Sequence, residues 1–135
     1  MSNWTYVVGK FKIKIKSSWG DTPLKIYNIM MNSHPITGSE HNAVFSVDPL
    51  ETSYYDYKLD SKILKASIKI KGSLRDKLLE DTCTDVDNFI KSISQDTYLY
   101  GKIIISDCPP DLWADLPKGF KVKTLKLKDD KTKWI

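Results

Sequence analysis

Cysteine, arginine and histidine are the scarce residues of this chain, and each scarcity excludes something. Only Cys83 and Cys108 occur in 135 residues. Two thiols make no disulfide framework, so both read as ordinary reduced cysteines of a cytosolic protein. Arg75 is the only arginine among 21 basic side chains, which argues against base-edge readout, where bidentate guanidinium contacts dominate. His34 and His41 are the only histidines. No apolar run approaches the roughly 18–20 residues that span a bilayer. The opening Met-Ser-Asn-Trp-Thr-Tyr has neither the basic start nor the apolar run of a secretory signal. The expected location is therefore the cytoplasm, with no membrane partner. Gly9-Lys10 and Gly101-Lys102 lack the upstream glycine of a phosphate loop. No linker, internal repeat or low-complexity tract interrupts the chain, so residues 1–135 read as one domain.

What the chain has is lysine in alternation. Residues 10–16 read Lys-Phe-Lys-Ile-Lys-Ile-Lys, a period of two that belongs to a β-strand with one buried and one wet face. Lys10, Lys12, Lys14 and Lys16 share one side; Phe11, Ile13 and Ile15 share the other. The pattern returns at 65–71, with Lys65, Lys69 and Lys71 outward, and less regularly at 121–128. The net charge of +4 is blocked along the chain: +4 over 1–39, −4 over 40–60, +5 over 61–75, −6 over 76–115 and +5 over 116–135. Basic blocks coincide with predicted strands and acidic blocks with loops and a helix. This predicts a folded molecule with a basic and an acidic side.

The elements read as strand 5–16, a helix opening at Thr22-Pro23 and ending near Asn32, strand 43–47, and an extended or weakly stranded 50–61. Strand 63–71 follows, then helix within 74–94, as two segments that break at 81–84 in preference to one bent region, then strand 98–106, a helical turn at 112–115 and strand 120–128. Ser73 with Asp76, and Thr84 with Asp87, resemble capping boxes. Leu24, Tyr27 and Met31 lie at i, i+3, i+7 with Ile26, Ile29 and Met30 beside them, and Val86, Phe89, Ile90 and Ile93 form a second amphipathic stripe. Gly9 suggests a bulge or a close backbone approach. The shift of apolar parity between Val122 and Leu125 suggests a bulge at 123–124. The order predicts an α+β domain with a mainly antiparallel sheet and two main helices on one face. Its pattern is that of the ferredoxin-like split βαβ arrangement (βαββαβ) with an extra C-terminal strand. The first and third strands are expected as parallel neighbours at the centre, with a lysine face in water.

No catalytic signature is present, and no enzyme activity, cofactor or metal is expected. A Ser39/His41 pair lacks the strand–turn–helix context of a nucleophile elbow. The acids Asp81, Asp85 and Asp87 lack the central glycine and ligand spacing of a calcium loop and read as helix-dipole complements. An enzyme with residues gathered from distant segments ranks third, and a polar pocket around Glu40, His41 and Arg75 would support it. The leading expectation is a small interaction protein without catalysis, of the kind that phages and mobile elements of AT-rich bacteria use to bind and modulate a host protein. The partner would be a protein, an acidic one by charge. The alternative is sequence-independent nucleic-acid binding through the lysine face. The candidate contact residues are Lys10, Lys12, Lys14, Lys16, Lys65, Lys69, Lys71 and Arg75, with Tyr55 and Tyr57 as aromatic anchors. A homo-oligomer through an uncovered edge strand at 54–59 or at the final strand is a further option.

Overall fold

The computed structural model describes residues 3–17, 24–48, 54–57, 61–129 and 131–135. The elements run β1 (Trp4–Ser17), α1 (Leu24–Met31), β2 (Val44–Asp48), β3 (Tyr54–Asp56), β4 (Ser61–Arg75), α2 (Leu79–Ile93), β5 (Thr97–Ser106), a short 3-10 helix (Pro110–Asp115), β6 (Val122–Asp129) and β7 (Lys131–Trp134). The helix start at Thr22-Pro23 and residues 58–59 of the expected edge strand lie outside the described residues.

One antiparallel sheet carries the fold, in the order β2-β4-β1-β5-β6-β7, with β3 also paired to β4. β4 meets β2 along 67–71 and β3 along 61–63. The expected central pair is present, but it is antiparallel. β1 and β4 lie side by side from Trp4↔Arg75 to Ser17↔Lys62. The reversal follows from the chain path: β2 and β3 run with β1, and the return from β3 inserts β4 between them and β1, against both. α2 then carries the chain across to β5, which takes the other side of β1.

Alternation explains which face is filled. Val7, Phe11, Ile13 and Ile15 from β1, Leu64, Ala66, Ile68, Ile70 and Leu74 from β4, Leu99, Ile103 and Ile105 from β5, and Leu125 and Leu127 from β6 form one core with both helices. α2 contributes Val86, Phe89, Ile90 and Ile93, and α1 contributes Ile26 and Met30. The Phe11 and Phe89 rings meet edge-on at 6.4 Å and 69°, a favoured aromatic geometry.

Three local expectations are corrected. The 74–94 region is one helix preceded by strand, since Ser73 and Leu74 belong to β4 and Leu74 is buried in its register. Asp81-Thr-Cys-Thr84 does not break α2. Thr82 Oγ1 donates to the Leu78 carbonyl at 3.0 Å and Thr84 Oγ1 to the Glu80 carbonyl at 3.2 Å. Such back-bonding lets threonine sit inside a helix instead of capping it. The ladder from Val122↔Ser106 to Asp129↔Leu99 is continuous, so no bulge occurs at 123–124, and half-buried Val122 simply lies on the other face. Gly9 is likewise in register with Ile70 and Ile103; a Cβ there would meet Ile103 Cγ1 at 3.0 Å, so close approach explains it. No helix among the described residues is long and apolar enough to cross a membrane.

Candidate nucleic-acid interface

The face of the sheet opposite the helices collects the lysines. In antiparallel pairs, directly opposed residues project to the same side, so the register can be read as rows. One row runs Lys133, Lys126, Lys102, Lys10, Lys69, Ser46 across β7, β6, β5, β1, β4 and β2. At the usual strand spacing its five lysines span about 20 Å. The next row runs Lys131, Lys128, Tyr100, Lys12, Ser67, Asp48. A third places Lys14 between Tyr98 and Lys65. Lys16 continues this face at one end; Lys71, beside Val8, continues it toward the other.

Aromatic rings are interleaved with these charges. The Lys14 ammonium lies 5.3 Å from the centroid of the Tyr100 ring, a cation–π distance. The Tyr100 hydroxyl is hydrogen-bonded to the Asp129 carboxylate, so the ring is held at its hydroxyl and on one face. Beyond the lysine rows the same face turns apolar, through Val8, Ile104, Val122, Tyr6 and Trp4. The Trp4 and Tyr6 rings are near parallel, at 6.5 Å and 17°. A shallow depression of about 640 Å³ lies where the two zones meet, lined by Val8, Lys10, Tyr100, Gly101, Lys102, Ile104, Lys126, Leu127 and Lys128.

The candidate residues divide. Lys10, Lys12, Lys14, Lys16, Lys65, Lys69 and Lys71 are brought onto this one face. Arg75 is at its far end, opposite Trp4, where Nη1 is 2.6 Å from Glu40 Oε1. Tyr55 is paired with Lys62, on the opposite parity from Lys65 and Lys69, and Tyr57 follows the strand. Their rings touch edge-on at 4.9 Å and 72°, away from the lysine rows. Sequence reading placed Tyr98 and Tyr100 on one face with Lys102, as the register bears out, but did not join Lys126, Lys128, Lys131 and Lys133 to that face. The alternation of Lys126 and Lys128 with Leu125 and Leu127 was visible, but not which strand they would join.

The loop from His34 to Asn42 is a structural clasp. Asp85 Oδ2 accepts from Lys77 Nζ at 2.7 Å, Thr37 N at 3.1 Å and Thr37 Oγ1 at 3.2 Å. Burial works to raise the Asp85 pKa, but the hydrogen bonds and the Lys77 charge outweigh it and hold the carboxyl below its ordinary 3.8. Ser39 Oγ donates to Asp76 Oδ2 at 3.2 Å, and Ser39 N to the Arg75 carbonyl at 3.0 Å. Glu40 and Arg75 thus form an exposed ion pair that ties loop to strand. Among the described residues, no three His, Cys, Asp or Glu side chains converge where an ion could sit. Burial pushes the thiols of Cys83 and Cys108 up, away from the thiolate form that reacts.

The helix side carries the four acids of α2. Glu80 and Asp81 are exposed in the first turn of α2, Asp85 is clasped by Lys77, and Asp87 accepts from Trp134 Nε1 at 2.9 Å. The chain matches no protein-family model, no curated protein and no solved structure.

Proposed function

We propose that this protein binds nucleic acid across its open sheet face, by backbone charge rather than by base sequence. The observation that carries the reading is the uninterrupted row of Lys133, Lys126, Lys102, Lys10 and Lys69. Like charges placed directly opposite one another cost stability, and no acid in the row offsets them. A polyphosphate does, and releases its counterions in doing so. Lysine suits this task as a point charge; the absence of arginine from the rows fits contact with phosphate rather than with base edges.

The crossovers β1–α1–β2 and β4–α2–β5, each with one strand inserted between its ends, we read as the split βαβ arrangement of ferredoxin-like domains, extended by β6 and β7. That likeness defines no function by itself. It does leave one sheet face without helices, the geometry that base-stacking sheet domains use.

The test is binding of a labelled oligonucleotide over a salt series. Affinity should fall steeply as salt rises, and the triple reversal Lys10→Glu, Lys102→Glu, Lys126→Glu should flatten the log–log slope by about 2 or more. Salt-independent binding, or an unchanged slope in the triple variant, would refute the proposal.

A protein partner is the second reading, favoured by a different observation. On α1, Leu24, Tyr27 and Met31 are 59%, 45% and 58% exposed, an apolar stripe facing away from the core. Capture from lysate with and without nuclease separates the two readings: a partner that survives nuclease and is lost in Leu24→Ser/Met31→Ser supports the protein one.

A further inference from the structure

We infer that the strand this face takes is single, and that one unstacked base seats in the depression beside Tyr100. This rests on the nucleic-acid reading and adds to it a preference for unpaired bases. The depression combines two kinds of wall. Val8, Ile104 and the Tyr100 ring supply apolar and aromatic surface; the row of Lys10, Lys102 and Lys126 runs between them and lines it as well. A phosphate backbone alone would need only the lysines. The apolar surface gains from a base plane, and a base in a duplex has both its planes covered by its neighbours.

The ring is built for stacking rather than for display. Its hydroxyl is tied to Asp129 and the Lys14 ammonium lies 5.3 Å from its centroid, so its orientation is set before any ligand arrives and little side-chain freedom is lost on binding. Base–aromatic stacking tolerates any base, since every base has a π face. The site is therefore consistent with a protein that lacks base-edge readout.

The experiment uses the unmodified full chain and three probes of equal length: oligothymidylate, a duplex, and an abasic single strand that keeps the phosphates and removes the bases. Oligothymidylate should bind at least about tenfold more tightly than the abasic strand at the same salt, the scale of one stacked base, and more tightly than the duplex. Tyr100→Leu should remove most of that advantage while the salt slope stays as in wild type. Equal affinity for abasic and thymidylate strands, or a Tyr100→Leu variant that keeps the full difference, would overturn this inference and leave backbone binding intact. Failure of all three probes to bind would overturn the nucleic-acid reading itself.

Discussion

The two faces of one sheet have opposite fates in this protein. On β1, Val7, Phe11, Ile13 and Ile15 are sealed under α1 and α2, while Lys10, Lys12 and Lys16, their immediate neighbours in sequence, are exposed. The backbone between them is the same, and so are its hydrogen bonds. The covered face is apolar and gains from burial; the open face is charged along its lysine rows, and those rows gain little from folding. Stability therefore resides on one side, and the other is free to be tuned for a ligand. This division can be tested by substitution.

The largest loss should come from the covered face. Phe11→Ala removes a fully buried ring and its edge contact with Phe89, and should cost about 3–5 kcal/mol in denaturant unfolding. A loss below about 1 kcal/mol would mean that the two faces do not differ as described.

The clasp that holds loop and α2 over that face comes next. Asp85→Asn leaves the Lys77 ammonium, whose side chain is 15% exposed, without its carboxylate, and should cost about 2–3 kcal/mol at neutral pH. The sign of the pH effect follows from the lowered Asp85 pKa. Its contribution is complete above the ordinary 3.8 and is lost as pH falls below that through the folded value. Acid unfolding of the Asn variant should accordingly be less steep below about pH 4; identical acid limbs would argue against the clasp.

Backbone can be tested where β1 and β5 touch. Gly101 has φ of 145°, and a Cβ there would lie 2.3 Å from the Lys10 carbonyl oxygen. Gly101→Ala should cost at least about 2 kcal/mol in thermal or denaturant unfolding, without adding or removing any charge.

Lys102→Glu sharpens the comparison most, because its two effects should have opposite signs. A carboxylate between Lys10 and Lys126 turns two repulsive cross-strand pairs into attractive ones and should raise stability by about 0.5 kcal/mol. The same change should weaken oligonucleotide binding at low salt. A parallel loss of both would indicate that the row serves the fold.

The smallest effect is expected on α1. Met31→Ala should change stability by under about 0.5 kcal/mol, whereas Met30→Ala, one residue earlier and fully buried, should cost about 2–4 kcal/mol.

Legibility differed by the range of the interaction. The strands around Ile13, Ile68 and Ile103 and the stripe Val86-Phe89-Ile90-Ile93 were readable, because alternation and helical spacing are local and burial follows them. On α1 the same reasoning picked Leu24, Tyr27 and Met31 as the leading stripe, and the buried set proved to be Ile26 and Met30, with Ile29 packed beside them. With apolar residues nearly all round, spacing alone did not choose the inward side. Thr84 resembled a cap because a Thr–Asp spacing says nothing about whether an upstream carbonyl is available. Gly101 carried no signal, since its constraint is the Lys10 carbonyl of another strand. Of the candidate site, the lysines of β1 and β4 were visible from parity. Tyr98 and Tyr100 were visible as sharing a face with Lys102; Lys126, Lys128 and Lys133 were not visible as members of the same surface.

Sequence by itself determined which side chains share a strand face, because the pleat alternates with a period of two and nothing distant can change it. It also determined that charge would be sorted between strands and helix. Only the tertiary structure decided that β4 runs against β1, and that Lys10 and Lys102, 92 residues apart by their numbers, stand opposite each other with Lys126 and Lys133 beyond. Register between strands is set by how the whole buried face fits together and by where the chain turns back, and neither is written at the lysines themselves.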